Sequence, residues 1–315
     1  MSSIGLTDRD GCPLCGSRSA VTFIPFPSIP VVRCGGCSFL YSSRVFADGQ
    51  LASYYEDNFG GLRHRQGQLV NASVNSLVLE RLVDFSAVAT LLDVGTGYGF
   101  LLKEMSARHG LRATGIEVSH QEAHHAKHVL GMDVRNSTLA GAGLEPESYD
   151  LVTTFEVIEH VPYPQQFLAA LASFVKPGGH LVVMTDNFDS RMAKSLGPAF
   201  PKWIPHSHIS HFSARTLAQA IEGTGMLDIA GSLSYTPWEV LLRNAYYQVR
   251  GIRKKPAEAF DLEGTLAGEM RGAYRLFLLR KLLNRSWARM TISERMDGDL
   301  IYFLCRKKRR AALTS

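Results

Sequence analysis

Three glycines at alternate positions form the first pattern with chemical meaning. Gly95, Gly97 and Gly99 follow a buried apolar run and precede a helical pattern. Without side chains, the backbone there can close over a ligand, and the first amides of the helix would face it. The glycines are spaced G-x-G-x-G. The dinucleotide fingerprint G-x-G-x-x-G is not met, because Phe100 takes the place of its third glycine.

Two acidic residues accompany these glycines. Asp93 stands two residues before the first glycine, and Glu117 closes the apolar run from Arg112 to Ile116. A carboxylate at the second position can accept hydrogen bonds from ribose hydroxyls. The ordered set favours a nucleoside-containing ligand. The alternative is a glycine-rich strand-to-helix turn that binds nothing.

Four of the five cysteines occur in two C-x-x-C pairs. The first pair is Cys12 and Cys15, the second is Cys34 and Cys37, and Cys305 stands alone. Two such knuckles complete a tetrahedral thiolate site for zinc, with no open position for catalysis. So short a segment buries too little apolar surface to fold alone, so the metal would stabilise it. A redox role is the alternative.

A third pattern combines carboxylates with histidines. Glu-x-x-Glu-His follows the fourth predicted strand, at the edge where doubly wound sheets bind ligands, and more histidines follow in 206–211. The candidate catalytic residues are Glu156, Glu159, His160, His208 and His211. Two carboxylates and two imidazoles could hold a divalent cation that lowers the pKa of a substrate hydroxyl. Alternatively His160 is a plain base, and His211 only braces the turn before a helix capped by Ser213.

The glycine loop with its two acids resembles motif I and the acidic loop of class I S-adenosylmethionine (SAM) methyltransferases. Phe155 to Val161 resembles motif IV of small-molecule methyltransferases, including the ubiquinone-pathway O-methyltransferases. Its Glu-x-x-Glu-His also matches metal ligands of small-RNA 2′-O-methyltransferases and some ubiquinone-pathway enzymes. The resemblance implies SAM as cofactor. The cofactor-binding residues that it implies are Asp93, Gly95, Thr96, Gly97, Gly99, Glu117, Val118, Thr138, Leu139 and Phe155.

Alternating strands and helices must position these residues, which argues for a parallel sheet covered on both faces. We expect strands near 90–94, 112–117, 132–135, 149–155, 179–185, 227–235 and 299–306, and helices near 70–83, 99–109, 120–130, 164–175 and 213–224. The predicted fold is an α/β, Rossmann-like, doubly wound seven-stranded sheet with an N-terminal zinc ribbon and a helical insertion between the last two strands. The predicted units are 1–42 (zinc ribbon), 43–89 (connector and cofactor-covering helices), 90–235 (SAM-binding core), 236–298 (insertion) and 299–315 (last strand and basic tail).

Two segments depart from or extend that core. The aromatic stretch 53–59, with Tyr54 and Tyr55, either folds over the cofactor or packs on the core. The insertion replaces a short family loop with two helical patterns, Trp238 to Val249 and Leu266 to Met290. Its interleaved basic residues are Arg271, Arg275, Arg280, Lys281, Arg285 and Arg289. A substrate lid, a dimer arm, a membrane-surface helix and a plain core-covering helix all fit this pattern.

Charge is unevenly distributed along the 315 residues. Residues 1–235 carry 17 basic and 21 acidic side chains, whereas residues 236–315 carry 17 and 8. The net charge of +5 therefore belongs to the last quarter. No stretch has the length of a membrane span and the N-terminus lacks a signal-peptide core, so we expect a cytoplasmic protein.

The patterns together predict a SAM-dependent methyltransferase that carries structural zinc and acts on a small-molecule, sugar or lipid-linked metabolite, most readily at a hydroxyl. The basic last quarter is compatible with an anionic acceptor, and a second divalent cation and a homodimer stay open. A nucleic-acid methyltransferase is the first alternative, disfavoured by the acidic core. A non-catalytic SAM-binding scaffold is the second.

Overall fold

The computed structural model describes residues 5–46, 62–250 and 276–309. The aromatic stretch 53–59, Arg271, Arg275 and the first part of the predicted helix Leu266 to Met290 lie outside these ranges. Within them, no helix combines the length and the apolar character that crossing a bilayer requires.

The main sheet has seven strands, and this confirms the predicted fold class. They are β6 (Thr90–Val94), β7 (Arg112–Glu117), β8 (Asp133–Asn136), β9 (Tyr149–Phe155), β10 (Val175–Asp186), β12 (Leu227–Tyr235) and β13 (Leu300–Lys307). Their order is β12-β13-β10-β9-β6-β7-β8. Strand β13 runs antiparallel to both neighbours, whereas β8, β7, β6, β9 and β10 are mutually parallel.

One strand begins earlier than its sequence suggests. Lys176 to Gly179 is typical of a turn that ends a helix, so we expected β10 to begin near residue 179. Val175 already pairs with Tyr149, and the register then shifts before His180 pairs with Leu151. The turn is therefore a bulge inside β10, with Gly178 at a φ of +80°.

The helices lie on both faces of this sheet. They are α1 (Leu62–Leu82), α2 (Phe100–His109), α3 (His120–His124), α4 (Pro164–Phe174), α5 (Arg191–Leu196), α6 (Ala214–Glu222), α7 (Trp238–Val249) and α8 (Phe277–Thr291). Helix α1 begins eight residues before the predicted start at residue 70. Helix α3 ends at His124, and the predicted stretch to residue 130 continues as a π-helical turn, 125–129.

A second sheet contains the cysteine unit. It consists of β2 (Ala20–Ile24), β3 (Val31–Cys34), β4 (Leu40–Ser42) and the short β11 (Ser210–His211), in the order β11-β4-β3-β2. Strands β1 (Leu6–Asp8) and β5 (Arg44–Phe46) form a separate antiparallel pair. Strand β11 comes from the histidine-rich segment, so the cysteine unit and that segment share one sheet.

Helix α8 of the insertion packs against α1. Helix α8 buries Asn284 and Ala288, and Arg81 of α1 donates to the carbonyl of Arg289 at 3.0 Å. Arg285 donates to the carbonyl of Ser73, also in α1, at 2.6 Å. The insertion therefore supports the helix that crosses the glycine loop.

Candidate active site

The glycine loop joins β6 to α2 in a conformation that side chains would disrupt. Gly95, Gly97 and Gly99 have φ values of +78°, +56° and +80°, a region that suits glycine. A Cβ atom at Gly97 would lie 2.2 Å from Oε1 of Gln68, and one at Gly95 would lie 2.3 Å from Cγ2 of Val157. The positive φ values thus favour glycine at all three positions, and the close approach of Val157 adds to this at Gly95.

Both acids near this loop are buried. Asp93 accepts a hydrogen bond from Thr153 Oγ1 at 2.7 Å, and burial raises its pKa to about 6. Glu117 accepts from the amide of Gly97 at 2.8 Å and from that of Ser119 at 2.8 Å. Burial, followed by nearby Glu122, raises the pKa of Glu117 to about 7. A buried carboxylate among backbone amides suits the paired hydroxyls of a ribose.

Helix α1 packs against the glycine loop. Gln68 accepts from the amide of Tyr98 at 2.8 Å and donates to Glu122 at 2.9 Å. His64, one turn earlier on α1, also contacts Glu122 at 2.9 Å. These contacts explain why α1 extends before residue 70. Gln68 and His64 thus attach α1 to the glycine loop and to Glu122, and the covering of a cofactor by segment 43–89 stays a prediction.

The remaining predicted cofactor residues lie around the same edge of the sheet. The amide of Thr96 donates to the carbonyl of Ile116 at 3.1 Å. Val118 follows Glu117 with 53% of its surface exposed. Leu139, next to Thr138, lines an apolar groove of about 430 Å³, and the ring of Phe155 lies 6.2 Å from that of Tyr302. Thr96 thus lies within the glycine loop and the exposed Val118 beside Glu117. The cofactor roles of Thr138, Leu139 and Phe155 stay predictions.

The first glutamate of Glu-x-x-Glu-His turns away from the second. Glu156 follows β9 with a φ of +54°, a strained value for a residue with a side chain. Its carboxylate accepts from Asn71 of α1 at 3.1 Å and lies 3.4 Å from Nζ of Lys202. Glu156 thus links α1 to the segment before the histidines.

Glu159, His160 and His208 come together in the interior. One ligand atom from each lies within 4.8 Å of the other two. The ring centroids of the histidines are 4.8 Å apart, and Nε2 of His160 lies 3.9 Å from Oε1 of Glu159. Thr185 donates to Oε2 of Glu159 at 2.8 Å, whereas the buried Oε1 has no hydrogen-bond partner among the described residues.

The backbone fixes which nitrogen of His160 carries the proton. Its Nδ1 lies 2.8 Å from the carbonyl oxygen of Ser207. A carbonyl only accepts, so Nδ1 is the donor and Nε2 holds the lone pair of the neutral ring. Burial lowers the pKa of His160 to about 3, while burial raises that of Glu159 to about 7. His160 is therefore neutral near pH 7.

A buried ion pair lies next to these groups. Asp186 ends β10 with no exposed surface, and Nζ of Lys202 lies 2.9 Å from its carboxylate. Nδ1 of His208 is 3.4 Å from the other oxygen. Burial alone would raise the pKa of Asp186, but Lys202 and His208 lower it to about 2. The position of Asp186 at the end of a strand is a sequence signal that could have identified it as a site residue. No local sequence pattern identifies Lys202 as one.

The other histidines of the segment lie apart from this cluster. The ring of His211 lies 4.6 Å from Phe188 and 4.9 Å from Trp203, and burial lowers its pKa well below the ordinary value. Neither of its nitrogens has a hydrogen-bond partner within the described ranges. Ser213 caps α6 as predicted, with a reciprocal bond to Thr216. The structure therefore groups His208 with His160 and places His211 in an aromatic cluster.

The four paired cysteines converge on one point. The sulfur atoms of Cys12 and Cys37 are 3.6 Å apart, those of Cys15 and Cys34 are 3.5 Å apart, and all four lie within 4.8 Å. Tetrahedral thiolates at about 2.3 Å from zinc lie about 3.8 Å from one another. The spacing fits a zinc ribbon. Cys305 is buried in β13, away from the cluster.

Sequence comparison adds to this geometry. Residues 63–229, more than half of the chain, match the profile of a family described as a methyltransferase domain. The chain belongs to this family. The protein is therefore a SAM-dependent methyltransferase, and the predicted enzyme class is confirmed.

Relatives of the methyltransferase are known by sequence and by structure. It is 32% identical to the ubiquinone biosynthesis O-methyltransferase of Aeromonas salmonicida over 47% of this chain and 67% of the relative, and 39% identical to that of Marinobacter nauticus over 30% and 43%. This chain thus spans between about two fifths and two thirds of the length of these relatives. The fold also matches phosphoethanolamine N-methyltransferase 2 of Haemonchus contortus in complex with SAM, with a TM-score of 0.53 and 15% identity over 86% of this chain and 63% of that one.

Proposed function

We propose that this methyltransferase transfers the methyl group of SAM to a hydroxyl oxygen of a small molecule, with His160 as the general base. The observation that carries the proposal is the bond from His160 Nδ1 to the Ser207 carbonyl, which leaves Nε2 as the proton acceptor. The low pKa of His160 keeps its ring neutral, and because a group with a low pKa is a weak proton acceptor, its action as a base requires the nearby carboxylate of Glu159. The relatives that bear the name O-methyltransferase support the choice of oxygen.

The residues present fit the cofactor. A glycine cradle without room for Cβ atoms, a buried Glu117 and the exposed Val118 match a nucleoside with its hydroxyls and base. Bound SAM would supply an electrophilic methyl group. The chain's own contribution is alignment: Gln68 of α1 bonds to the glycine loop at Tyr98, and Asn71 of α1 bonds to Glu156, which also lies 3.4 Å from Lys202.

His160 would act together with its neighbours. A proton arriving at Nε2 creates an imidazolium in a buried site, which costs free energy unless an anion is near. Oε1 of Glu159 lies 3.9 Å away and has no hydrogen-bond partner among the described residues. Glu159 thus supplies the charge that stabilises protonated His160, and Thr185 holds its second oxygen.

The same three side chains support a second version, in which a divalent cation replaces the plain base. Glu159, His160 and His208 offer one oxygen and two nitrogens within 4.8 Å of one another. Ligands about 2.1 Å from one ion lie at most about 4.2 Å apart, so a small inward rotation would complete the site. Glu156 is not one of these ligands, because it contacts Asn71 and Lys202.

Two further roles belong to this proposal. The cysteine cluster would hold one structural zinc ion per chain. The insertion would border the acceptor pocket, because α7 begins just after Tyr235, whose partner in β13 is Leu300, itself paired with Asp186 at the end of β10. The core boundaries 90–235 would then mark the cofactor unit and 236–298 the acceptor-side cover.

The test incubates the protein with SAM carrying a ¹³C-methyl group and a panel of phenols, catechols, sugar hydroxyl compounds, amines and carbon acids. We expect a ¹³C-methyl ether in at least one product, and its loss in the variant His160→Ala with SAM affinity unchanged. Methylation of amines or carbon acids alone would reject the hydroxyl acceptor. Activity that a chelator abolishes while the cysteine zinc is retained, and that Mg²⁺ restores, would select the cation version over the plain base.

A further inference from the structure

The cysteine unit and the histidine segment 206–211 are joined by strand pairing within one sheet. In β11, Ser210 pairs with Tyr41 of β4 and His211 pairs with Leu40. Strand β11 is therefore an edge strand of the sheet that includes Cys34 in β3. A metal-bound unit that served only to bind a remote partner would not need this pairing.

Ser42 makes the firmest link between the two. It is fully buried, and its hydroxyl donates to the carbonyl of Pro205 at 2.7 Å. Its amide donates to the carbonyl of Ile209 at 3.1 Å. One residue of β4 thus holds both ends of the turn 205–209, which contains His208.

The opposite side of the turn is bonded to motif IV. The amide of Ile209 donates to the carbonyl of Glu159 at 2.9 Å, and Nδ1 of His160 donates to the carbonyl of Ser207 at 2.8 Å. Ile209 therefore receives a bond from Ser42 on its carbonyl and gives one to Glu159 through its amide. The turn lies between the cysteine unit and the catalytic residues and contacts both.

Side-chain packing strengthens this arrangement. The ring of Phe39, which follows Cys37, lies 5.0 Å from that of Phe212, which follows β11. Cys34 and Phe39 belong to the same buried cluster as Ile158 of motif IV. The cysteine unit shares a core with the methyltransferase domain and is part of the wall of its active site.

We propose that Ser42 is a positioning residue through which the zinc-bound cysteine unit holds His160 and His208 in their working orientation. The catalytic meaning of this inference rests on the proposed function. Zinc binding by the cysteine unit (Cys12, Cys15, Cys34 and Cys37) then determines how well ordered the turn 205–209 is, and it leaves the SAM site unchanged. The turn carries the effect, because its two outer carbonyls bond to Ser42 and its inner groups bond to motif IV.

The test compares Ser42→Ala with a matched control, Ser43→Ala, whose side chain forms no hydrogen bond with the residues that the structure describes. Amide hydrogen exchange is followed in peptides covering 204–211, where the amide of Ile209 is the reporter, and in peptides covering 91–102 of the glycine loop. Loss of a buried hydrogen bond of this kind should raise exchange in 204–211 roughly tenfold in Ser42→Ala. Exchange in 91–102, and all exchange in Ser43→Ala, should stay as in the unaltered protein.

Ring signals of ¹⁵N-labelled histidine give a second readout that a general loss of stability would not produce. The His160 and His208 signals should move in Ser42→Ala and stay in place in Ser43→Ala, while zinc content stays at one per chain and SAM affinity is unchanged. Cys34→Ser should reproduce the moved signals through loss of zinc. Unchanged exchange and unchanged ring signals in Ser42→Ala would overturn the inference. Neither readout needs an acceptor, so a failure of the O-methylation proposal would be seen separately, in the ¹³C-methyl assay.

Discussion

The ion pair between Lys202 and Asp186 provides the sharpest test of the electrostatics of the site. Asp186 has no exposed surface, so its charge depends on Lys202 at 2.9 Å and His208 at 3.4 Å. The pKa of Asp186 falls from its ordinary value of 3.8 to about 2. At about 1.4 kcal/mol per pKa unit, this difference is roughly 2 kcal/mol of folding stability. That stability is present above pH 3.8 and is lost as the pH falls through 2.

The variant Lys202→Met removes the cation and leaves the buried carboxylate. Breaking a buried pair in this way costs about 3–5 kcal/mol, which lowers the melting temperature by roughly 5–15 °C. The pKa of Asp186 should then rise above its unfolded value, because His208 alone offsets the effect of burial only in part. The loss of folding stability caused by Lys202→Met should therefore be larger at pH 8 than at pH 5, because the carboxyl of Asp186 takes up a proton more readily at pH 5.

Thermal unfolding followed by circular dichroism at pH 5 and pH 8 measures both effects. Lys194→Met is the matched control, because Lys194 pairs with Asp189 at 2.9 Å on the surface, where both side chains are more than 60% exposed; we expect less than about 1 kcal/mol from it. Adding Asp186→Asn to Lys202→Met should recover most of the loss. Equal melting temperatures for Lys202→Met and Lys194→Met at pH 8 would refute the reasoning.

Three further outcomes follow from the geometry. Gly97→Ala should lower SAM affinity at least tenfold in calorimetry, because a φ of +56° strains a residue that has a side chain; retained affinity would show that the loop adapts. Cys34→Ser should lower zinc content from one per chain by elemental analysis, whereas Cys305→Ser should leave it unchanged; equal zinc in both would exclude the cluster as the site. His160→Ala should reduce turnover of the methylated acceptor by roughly 10²–10⁴-fold at unchanged SAM affinity, and near-normal turnover would remove His160 from the mechanism.

The seven-stranded sheet could be predicted from local patterns. Strand β6 is a largely apolar run followed by Gly95, and β12 lies between residues 227 and 235 in both the prediction and the structure. Strand β11 was not predicted, because two residues carry no periodic signal. The first part of α1 was not predicted either: residues 62–69 are polar and contain Gly67, and their contacts with Glu122 and Tyr98 are long-range.

The site was predicted in part for a related reason. Glu159 and His160 lie in one short motif, so their proximity follows from the sequence. The pairing of Asp186 with Lys202, and the bonds from Ser42 to the turn 205–209, join residues far apart in the chain and leave no local trace. His211 has the same residue type and nearly the same position as His208, yet β11 turns it toward Phe188.

The position of β13 between β12 and β10 has a consequence for biosynthesis. Strand β12 is an edge strand whose partner is β13, and β13 begins only at Leu300. At about 5–20 residues per second, a ribosome needs roughly 3–13 s to translate the stretch between these strands. During that interval the nascent chain holds β12 without its neighbour and the far edge of β10 unpaired. The four strands β6 to β9 can therefore form during synthesis, while the other side of the sheet, β10, β13 and β12, is completed only near the end.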